Sequence, residues 1–351
     1  MTQLSAAAPA HVEAFCCTGT SPGVTGHTTV SVDLQFGGHV DTRVGYEVHG
    51  PAYGPAVVVL GGISASRHLA PTAGDPSPGW WPGVVGAGLA LDPTRQRLIG
   101  IDFLGGPQAA VPAGTRISSR DQAEVVRQVL SVLGVRRASF VGASYGGMVS
   151  LALAALDAKH VISLVLVAAA HRPHPMATAW RAIQRDIVRF GAEVGDERRG
   201  LSLGRALAMT TYRSEFEFAE RFDFRPKVGG GARFPVEAYL TARGDAFAAT
   251  FGTEAFVSLS ESIDLHDVDP SQVTAPTSLV SFDTDRLVPT WLVEELAQAL
   301  PGPVCHVRLG SPFGHDAFLK EPGPVSAAIT DALAIRWSSS SDTPASAEVA
   351  R

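Results

Sequence analysis

Cysteine is nearly absent from this chain: there are 3 in 351 residues, Cys16, Cys17 and Cys305. They form neither a metal-binding pair nor the regular even set of a disulfide framework, which excludes a disulfide-stapled fold and a cysteine metal centre. No histidine pair has the helical spacing of a zinc site, so no metal is expected. Charged residues are sparse as well, at 18%. The net charge of -6 gives no electrostatic footprint for nucleic acid, and no such partner is expected. No apolar run reaches the roughly 20 residues of a bilayer-spanning helix. The start, Met1-Thr-Gln-Leu-Ser-Ala-Ala-Ala8, lacks the basic and apolar regions of a signal peptide. The expectation is a soluble, cytoplasmic protein with no membrane partner.

What is present is a large apolar fraction, 45% of the residues, enough for a substantial core. After an irregular segment over residues 1–26, Val30 to Phe36 and Val44 to His49 alternate apolar and polar residues, as a hairpin at a sheet edge does. Ala56-Val-Val-Val-Leu60, Arg97 to Asp102, Ala138 to Ala143 and Val161 to Ala168 read as buried parallel strands. The amphipathic segment Arg120 to Leu133 is a helix between them. Alternation stops over residues 171–268, where Met176–Phe190, Leu203–Met209, Glu215–Phe222, Val236–Phe251 and Ala255–Ile263 have helical patterns and Gly229-Gly230-Gly231 reads as a mobile loop. It resumes over 269–337, with strands at Thr277–Ser281 and Val304–Leu309 and helices at Trp291–Leu300 and Val325–Ile335. Residues 338–351 have the low complexity of a disordered tail. The fold class is therefore α/β: a mostly parallel central sheet with helices on both faces, split into a core of 27–170 and 269–337 by a helical lid at 171–268.

Gly142-Ala-Ser144-Tyr-Gly146 lies where a strand turns into a helix and fits the G-x-S-x-G nucleophile elbow of the α/β-hydrolase fold. The turn is so tight that the residues two before and two after the serine must be almost free of side chain. The dinucleotide fingerprint G-x-G-x-x-G does not fit, because Ser144 stands where its second glycine belongs. In such sheets the triad runs Ser, Asp or Glu, then His, each just past the C-terminal end of a strand. Asp283 and Asp285 both follow the strand ending at Ser281, and His315 follows the one ending at Leu309. His315 would take the proton of Ser144, and the aspartate would hold the imidazole in the right tautomer. The oxyanion hole needs the N–H of Tyr145 and one more, from Gly62 or Ile63 in the loop after the Ala56–Leu60 strand.

The elbow Gly142-Ala-Ser144-Tyr-Gly-Gly-Met148, Gly79-Trp-Trp-Pro82, Met209-Thr-Thr-Tyr212-Arg213-Ser214, Val236-Glu-Ala-Tyr-Leu240, Thr284-Asp285-Arg-Leu-Val-Pro289 and Gly314-His315-Asp316-Ala-Phe-Leu319 occur in the same order in another group of proteins. They are the homoserine O-acyltransferases, which the chain resembles over roughly residues 28–335. The resemblance selects Asp285 over Asp283, because the family's aspartate lies in an Asp-x-Leu-x-Pro context. It implies ping-pong acyl transfer in methionine biosynthesis. Ser144 takes the acyl group of an acyl-CoA co-substrate and hands it to L-homoserine, with no cofactor permanently bound. It also implies that Arg213 clamps the amino-acid carboxylate, that Asp316 holds the ammonium, and that a homodimer forms through the lid.

Leu60-Gly-Gly-Ile-Ser-Ala65 departs from the His-Ala-Leu-Thr-Gly-like stretch of the acetyl-transferring members, and with His171-Arg-Pro-His-Pro-Met176 it looks more like the O-succinyl-transferring branch. Succinyl-CoA is thus favoured as donor, with acetyl-CoA next. Its extra carboxylate asks for a cation, and Arg181, Arg185 and Arg189, with Arg172 upstream, form a stripe that could supply one. Alternatives within the fold are a serine O-acyltransferase, an acyltransferase for an antibiotic hydroxyl, and a serine esterase or thioesterase with water as acceptor. A binding protein without catalysis is disfavoured by the intact Ser144, Asp285 and His315.

Overall fold

The computed structural model describes residues 23–226 and 234–335. Cys16, Cys17, the Gly229–Gly231 loop and the 338–351 tail lie outside the described residues. The strands are β1 (Val24–Asp33), β2 (His39–His49), β3 (Ala56–Leu60), β4 (Arg97–Ile101), β5 (Ala138–Ala143), β6 (Val161–Val167), β7 (Thr277–Phe282) and β8 (Val304–Leu309). The helices are α1 (Ser119–Val132), α2 (Tyr145–Leu156), α3 (Pro175–Glu193), α4 (Glu197–Tyr212), α5 (Glu215–Arg221), α6 (Pro235–Ala248), α7 (Thr253–Asp264), α8 (Thr290–Ala299), α9 (Ala317–Lys320) and α10 (Pro322–Ala334).

One 8-stranded sheet runs β1-β2-β4-β3-β5-β6-β7-β8. The β1–β2 and β2–β4 pairs are antiparallel and every other pair is parallel. The hairpin at the edge and the parallel body match the two kinds of pattern in the sequence. Half-covered β1 alternates buried with exposed residues, whereas β3, β5 and β7 are buried almost throughout because helices cover both faces. One core cluster lies on the α1–α2 face, around Val58, Phe140, Val149 and Leu166; the other lies on the α10 face, around Val59, Val141, Val167 and Ile329.

The helices begin where their caps dictate. Ser118 opens α1 in a capping box, its Oγ accepting from the Asp121 N–H while Asp121 accepts from the N–H of Ser118. Pro175, Pro235 and Pro322 stand in the first turns of α3, α6 and α10, where a missing N–H costs nothing. Helices α3 to α7 leave the sheet after β6 and return before β7, although β6 and β7 are adjacent partners. This insertion has its own small apolar nucleus of Val188, Leu201 and Phe256. His266 ties its end to the body: the imidazole is fully buried and bonds Ser119 Oγ (2.7 Å) and Ala170 O (3.0 Å).

Candidate active site

The centre of the site is the junction of β5 and α2. Ser144 has φ 53° and ψ −120°, a strained conformation that a non-glycine residue adopts only when its surroundings enforce it. Three backbone bonds do so. The Ser144 N–H donates to Val167 O (2.8 Å), the Gly146 N–H to Gly61 O (2.8 Å) and the Gly147 N–H to Ser144 O (2.9 Å). The flanking glycines are sterically required. A Cβ on Gly142 would overlap the Gly146 carbonyl, and one on Gly146 would overlap that of Leu60.

The strand-end loops of β7 and β8 bring two further residues to this serine. Ser144 Oγ lies 2.8 Å from His315 Nε2, and His315 Nδ1 lies 2.7 Å from Asp285 Oδ2. An ionised carboxylate only accepts, so Nδ1 carries the proton and Nε2 is left to accept from the serine hydroxyl. The other oxygen of Asp285 accepts from the N–H groups of Leu287 (2.8 Å) and Val288 (2.9 Å), which fixes the carboxylate from behind. Asp283 does something else: it caps the β8 loop by accepting from the Ser311 N–H (3.0 Å). Gly314 precedes the histidine with φ 63° and passes so close to Tyr212 and Ser214 that a side chain would not fit. The Gly79–Pro82 loop supports the histidine from the opposite side, with Trp81 Nε1 donating to Phe318 O (2.8 Å) and Phe318 set edge-on to the His315 ring.

Burial works against protonation of His315, but the Asp285 charge and hydrogen bond, with the charge of Asp316, outweigh it and hold the imidazole above its ordinary value. Burial likewise raises the Asp316 carboxyl, against the opposing pull of Arg213, His315 and Arg205. Among the described residues, nothing accepts from the backbone N–H groups of Tyr145, Gly62 or Ile63. Gly62 lies against Ser144, 4.0 Å from the serine Cβ to the position a glycine Cβ would take.

A cavity of about 200 Å³ stands over Ser144 and His315. Gly62, Ile63 and Trp80 wall it on the sheet side, and α3, α4 and α7 contribute Trp180, Arg181, Arg205, Tyr212 and Ser260. Asp316 lines it. Arg213 does not: its guanidinium is buried between Glu217 and Asp316, with Nε 2.8 Å from Asp316 Oδ2. The cation that does face the cavity there is Arg205, a residue that the sequence reading passed over. It lies over the rings of Tyr212 (5.1 Å) and Phe247 (4.9 Å) and makes no ion pair with a described residue. Its place two turns before Tyr212 on the same helical face, at i−7, was the available signal.

The arginine stripe separates into different roles. Arg181 lines the cavity, and both it and Arg185 pair with the one carboxylate of Asp264, each at 2.6 Å, which leaves one positive charge uncompensated. Arg189 faces outward beside Asp186 (3.6 Å), and Arg172 is forked onto Glu295 away from the cavity. Among the described residues no cluster of His, Cys, Asp or Glu could hold a metal ion, and no helix is long and apolar enough to cross a membrane.

A mostly parallel sheet with a strained serine at the central strand-to-helix turn, in contact with a histidine carried by the last strand's loop, defines the α/β-hydrolase fold. A family model described as alpha/beta hydrolase fold matches residues 55–322. Homoserine O-succinyltransferase of Xanthomonas campestris pv. campestris is 44% identical over 89% of this chain and 84% of its own length. Homoserine O-acetyltransferase of Thermobifida fusca is 32% identical over 86% and 91%. A serine O-succinyltransferase of Litchfieldella anticariensis is 31% identical over 82% and 92%. Among solved structures, homoserine O-acetyltransferase from Bacillus anthracis superimposes with a TM-score of 0.82 over 91% of this chain and 99% of that one, at 17% identity. The chain belongs to the homoserine O-acyltransferase family.

Proposed function

We propose that this protein is an acyl-CoA-dependent homoserine O-succinyltransferase acting by a ping-pong mechanism through an acyl-Ser144 intermediate. Ser144 attacks the thioester carbonyl as its proton passes to His315 Nε2. The oxyanion is received by the N–H of Tyr145 and by that of Gly62 or Ile63. The C–S bond then breaks, and coenzyme A leaves with the proton from His315. The homoserine hydroxyl gives its proton to the same nitrogen as it attacks the acyl-Ser144 ester, and collapse returns the proton to Ser144 Oγ and releases the O-acyl amino acid. Asp285 orients the imidazole and stabilises the imidazolium in both halves. The N-terminus of α2 adds its partial positive charge at the oxyanion.

One observation carries the acceptor class. In a chain 44% identical to a homoserine O-succinyltransferase, the cavity over Ser144 holds an unpaired guanidinium and a carboxylate next to the general base. Arg205 suits the α-carboxylate and Asp316 the ammonium, each by charge-assisted hydrogen bonds. Arg213 then acts through Asp316, fixing the carboxylate that faces the amino acid. The succinyl donor is supported by the uncompensated charge that Arg181 presents to the cavity. L-Serine is the second acceptor to test, because a relative of similar length carries that activity in its name and the two acceptors differ by one methylene. A homodimer through the helical insertion is supported by Met176, Ile183 and Phe190, one every second turn of α3 and all at least half exposed.

The test is thiol release from succinyl-CoA and acetyl-CoA, each with and without L-homoserine or L-serine, with the product identified by mass. Thiol release that requires homoserine and yields O-succinylhomoserine supports the proposal. Release that ignores amino acids and leaves free acid makes the protein a thioesterase.

A further inference from the structure

The proposed second oxyanion donor, Gly62 or Ile63, sits on the loop that follows β3. Residues Gly61–Ser66 run from the end of β3 over Ser144, and Ile63, Ser64 and Ala65 wall the catalytic cavity on one side. Ile63, Ser64, Ala65 and Ser66 also wall a second cavity of about 160 Å³, whose further lining includes Asp102, Phe103 and Leu259. Ile63 packs against the core, but Ser64 and Ser66 are exposed and the loop partitions two cavities, so much of its positioning has to come from its ends. The first end is held by the Gly146 N–H to Gly61 O bond at the elbow.

The other end carries an unusual concentration of buried charge. Arg67 donates through its backbone N–H to Asp102 Oδ1 (2.9 Å) and through its guanidinium to Asp102 Oδ2. The next residue, His68, places Nδ1 3.1 Å from Glu47 Oε1, and its Nε2 bonds Ser77 O (2.9 Å). Both carboxylates are 3% exposed. They rise from β2 and from the end of β4, the antiparallel side of the sheet. The sheet makes room for this clamp: a Cβ on Gly45 would overlap the Arg67 guanidinium, and one on Gly100 would overlap the Arg67 carbonyl. Arg67 therefore lies in a notch cut by one glycine from each of two paired strands. Burying a charge pair is a poor route to stability, but a two-point contact at backbone N–H and guanidinium is a good way to fix a loop in register.

We infer that Asp102, through Arg67, is a positioning residue for the oxyanion hole: it sets where the Gly62 and Ile63 N–H groups stand relative to Ser144. The Glu47–His68 contact is the second point of the same clamp. The inference rests on Ser144 being the nucleophile, and the experiment separates the two claims.

The parent, Ser144→Ala, Asp102→Asn, Asp102→Ala and the Arg67→Leu/Asp102→Leu pair are compared. Each is assayed for p-nitrophenolate release from p-nitrophenyl acetate and for thiol release from succinyl-CoA, with unfolding followed by denaturant. The double variant removes both charges, so that neither is left buried alone. If the clamp positions the hole, Asp102→Ala and the double variant lose roughly tenfold to a hundredfold in the acylation rate constant, the scale of a misplaced donor. The factor is the same for both acyl donors, KM stays within about twofold, and Asp102→Asn, which keeps the acceptor for the Arg67 N–H, falls between. A folded Asp102→Ala or double variant with the parent rate constant overturns the inference, and so does a loss confined to KM. An active Ser144→Ala overturns the reading of Ser144 itself.

Discussion

At the scale of the residue, the imidazole of His315 carries the sharpest chemical expectation. It is held above the ordinary histidine value against its own burial, by the charge and hydrogen bond of Asp285 and by the charge of Asp316. A general base works in its neutral form, so the acylation rate should rise with pH through an apparent pKa above 6.5. Asp316→Asn removes one of the charges that favour the imidazolium, and the pH–rate limb should move to lower pH. The same substitution should raise the KM for homoserine by about tenfold to a hundredfold, the worth of a charged hydrogen bond. Arg205→Ala should raise that KM by a similar factor, whereas Arg213→Ala should act more weakly if it merely holds Asp316. Arg181→Ala should raise KM for succinyl-CoA while leaving acetyl-CoA nearly unaffected, read from paired steady-state curves.

What the sequence disclosed at this scale follows from how the side chains are delivered. Ser144 and His315 lie 171 positions apart, yet each sits at a strand end with a local signal that needs no tertiary knowledge: glycines two either side of Ser144, and Gly314 just before His315. Asp283 and Asp285 shared one strand end, and spacing alone left them equal. The Asp285-Arg-Leu-Val-Pro289 context, matched to the family, chose Asp285, and in three dimensions Asp285 points at the imidazole while Asp283 caps the next loop. Arg205 and Arg213 show the opposite failure. Both are arginines of one helix and its end, and which of them faces the cavity depends on Glu217 and Asp316 taking up the guanidinium of Arg213.

At the scale of the element, the elbow is the least forgiving part. Gly146→Ala would press a methyl group into the Leu60 carbonyl, which is backbone and cannot swing away. A loss of about 2 kcal/mol in denaturant unfolding is expected, together with lost activity. The tie of the helical insertion to the body should be acid-sensitive. Burial lowers His266 to about 3 from an ordinary 6.5. Below pH 6.5 the unfolded chain takes up a proton there that the folded chain refuses, so stability is full above 6.5 and falls as pH drops toward about 3. His266→Gln should flatten the unfolding free energy against pH in that window, by up to about 1.4 kcal/mol per pH unit. Strand and helix positions were legible because both β patterns, alternating and fully apolar, differ from the helical period. Helix ends moved in both directions: α4 starts at a cap on Asp196 well before its apolar face begins, whereas α6 ends at Ala248, short of the Phe251 that periodicity marks.

At the scale of the whole molecule, the sheet supplies the floor of the cavity and the insertion between β6 and β7 supplies much of its walls. Excluding water favours transfer over hydrolysis, and beyond Met209–Ser214 and Val236–Leu240 the insertion's helices carry no local signal of which side chains face the cavity. That is why fold and triad candidates were readable from short stretches, while the makeup of the cavity wall was not. The α3 stripe should mediate self-association. Ile183→Asp with Phe190→Asp is expected to convert a dimer to a monomer in sedimentation, and a parent that sediments as a monomer would remove the dimer from the account.

The most direct test of the central claim is the intact mass of the protein after exposure to succinyl-CoA with no amino acid present. Transfer through an acyl-Ser144 requires one succinyl group, located on Ser144 by peptide mapping, absent in Ser144→Ala, and discharged on adding L-homoserine to give O-succinylhomoserine. An unmodified Ser144 under conditions that still form the product, or an acyl group that homoserine does not remove, would contradict it.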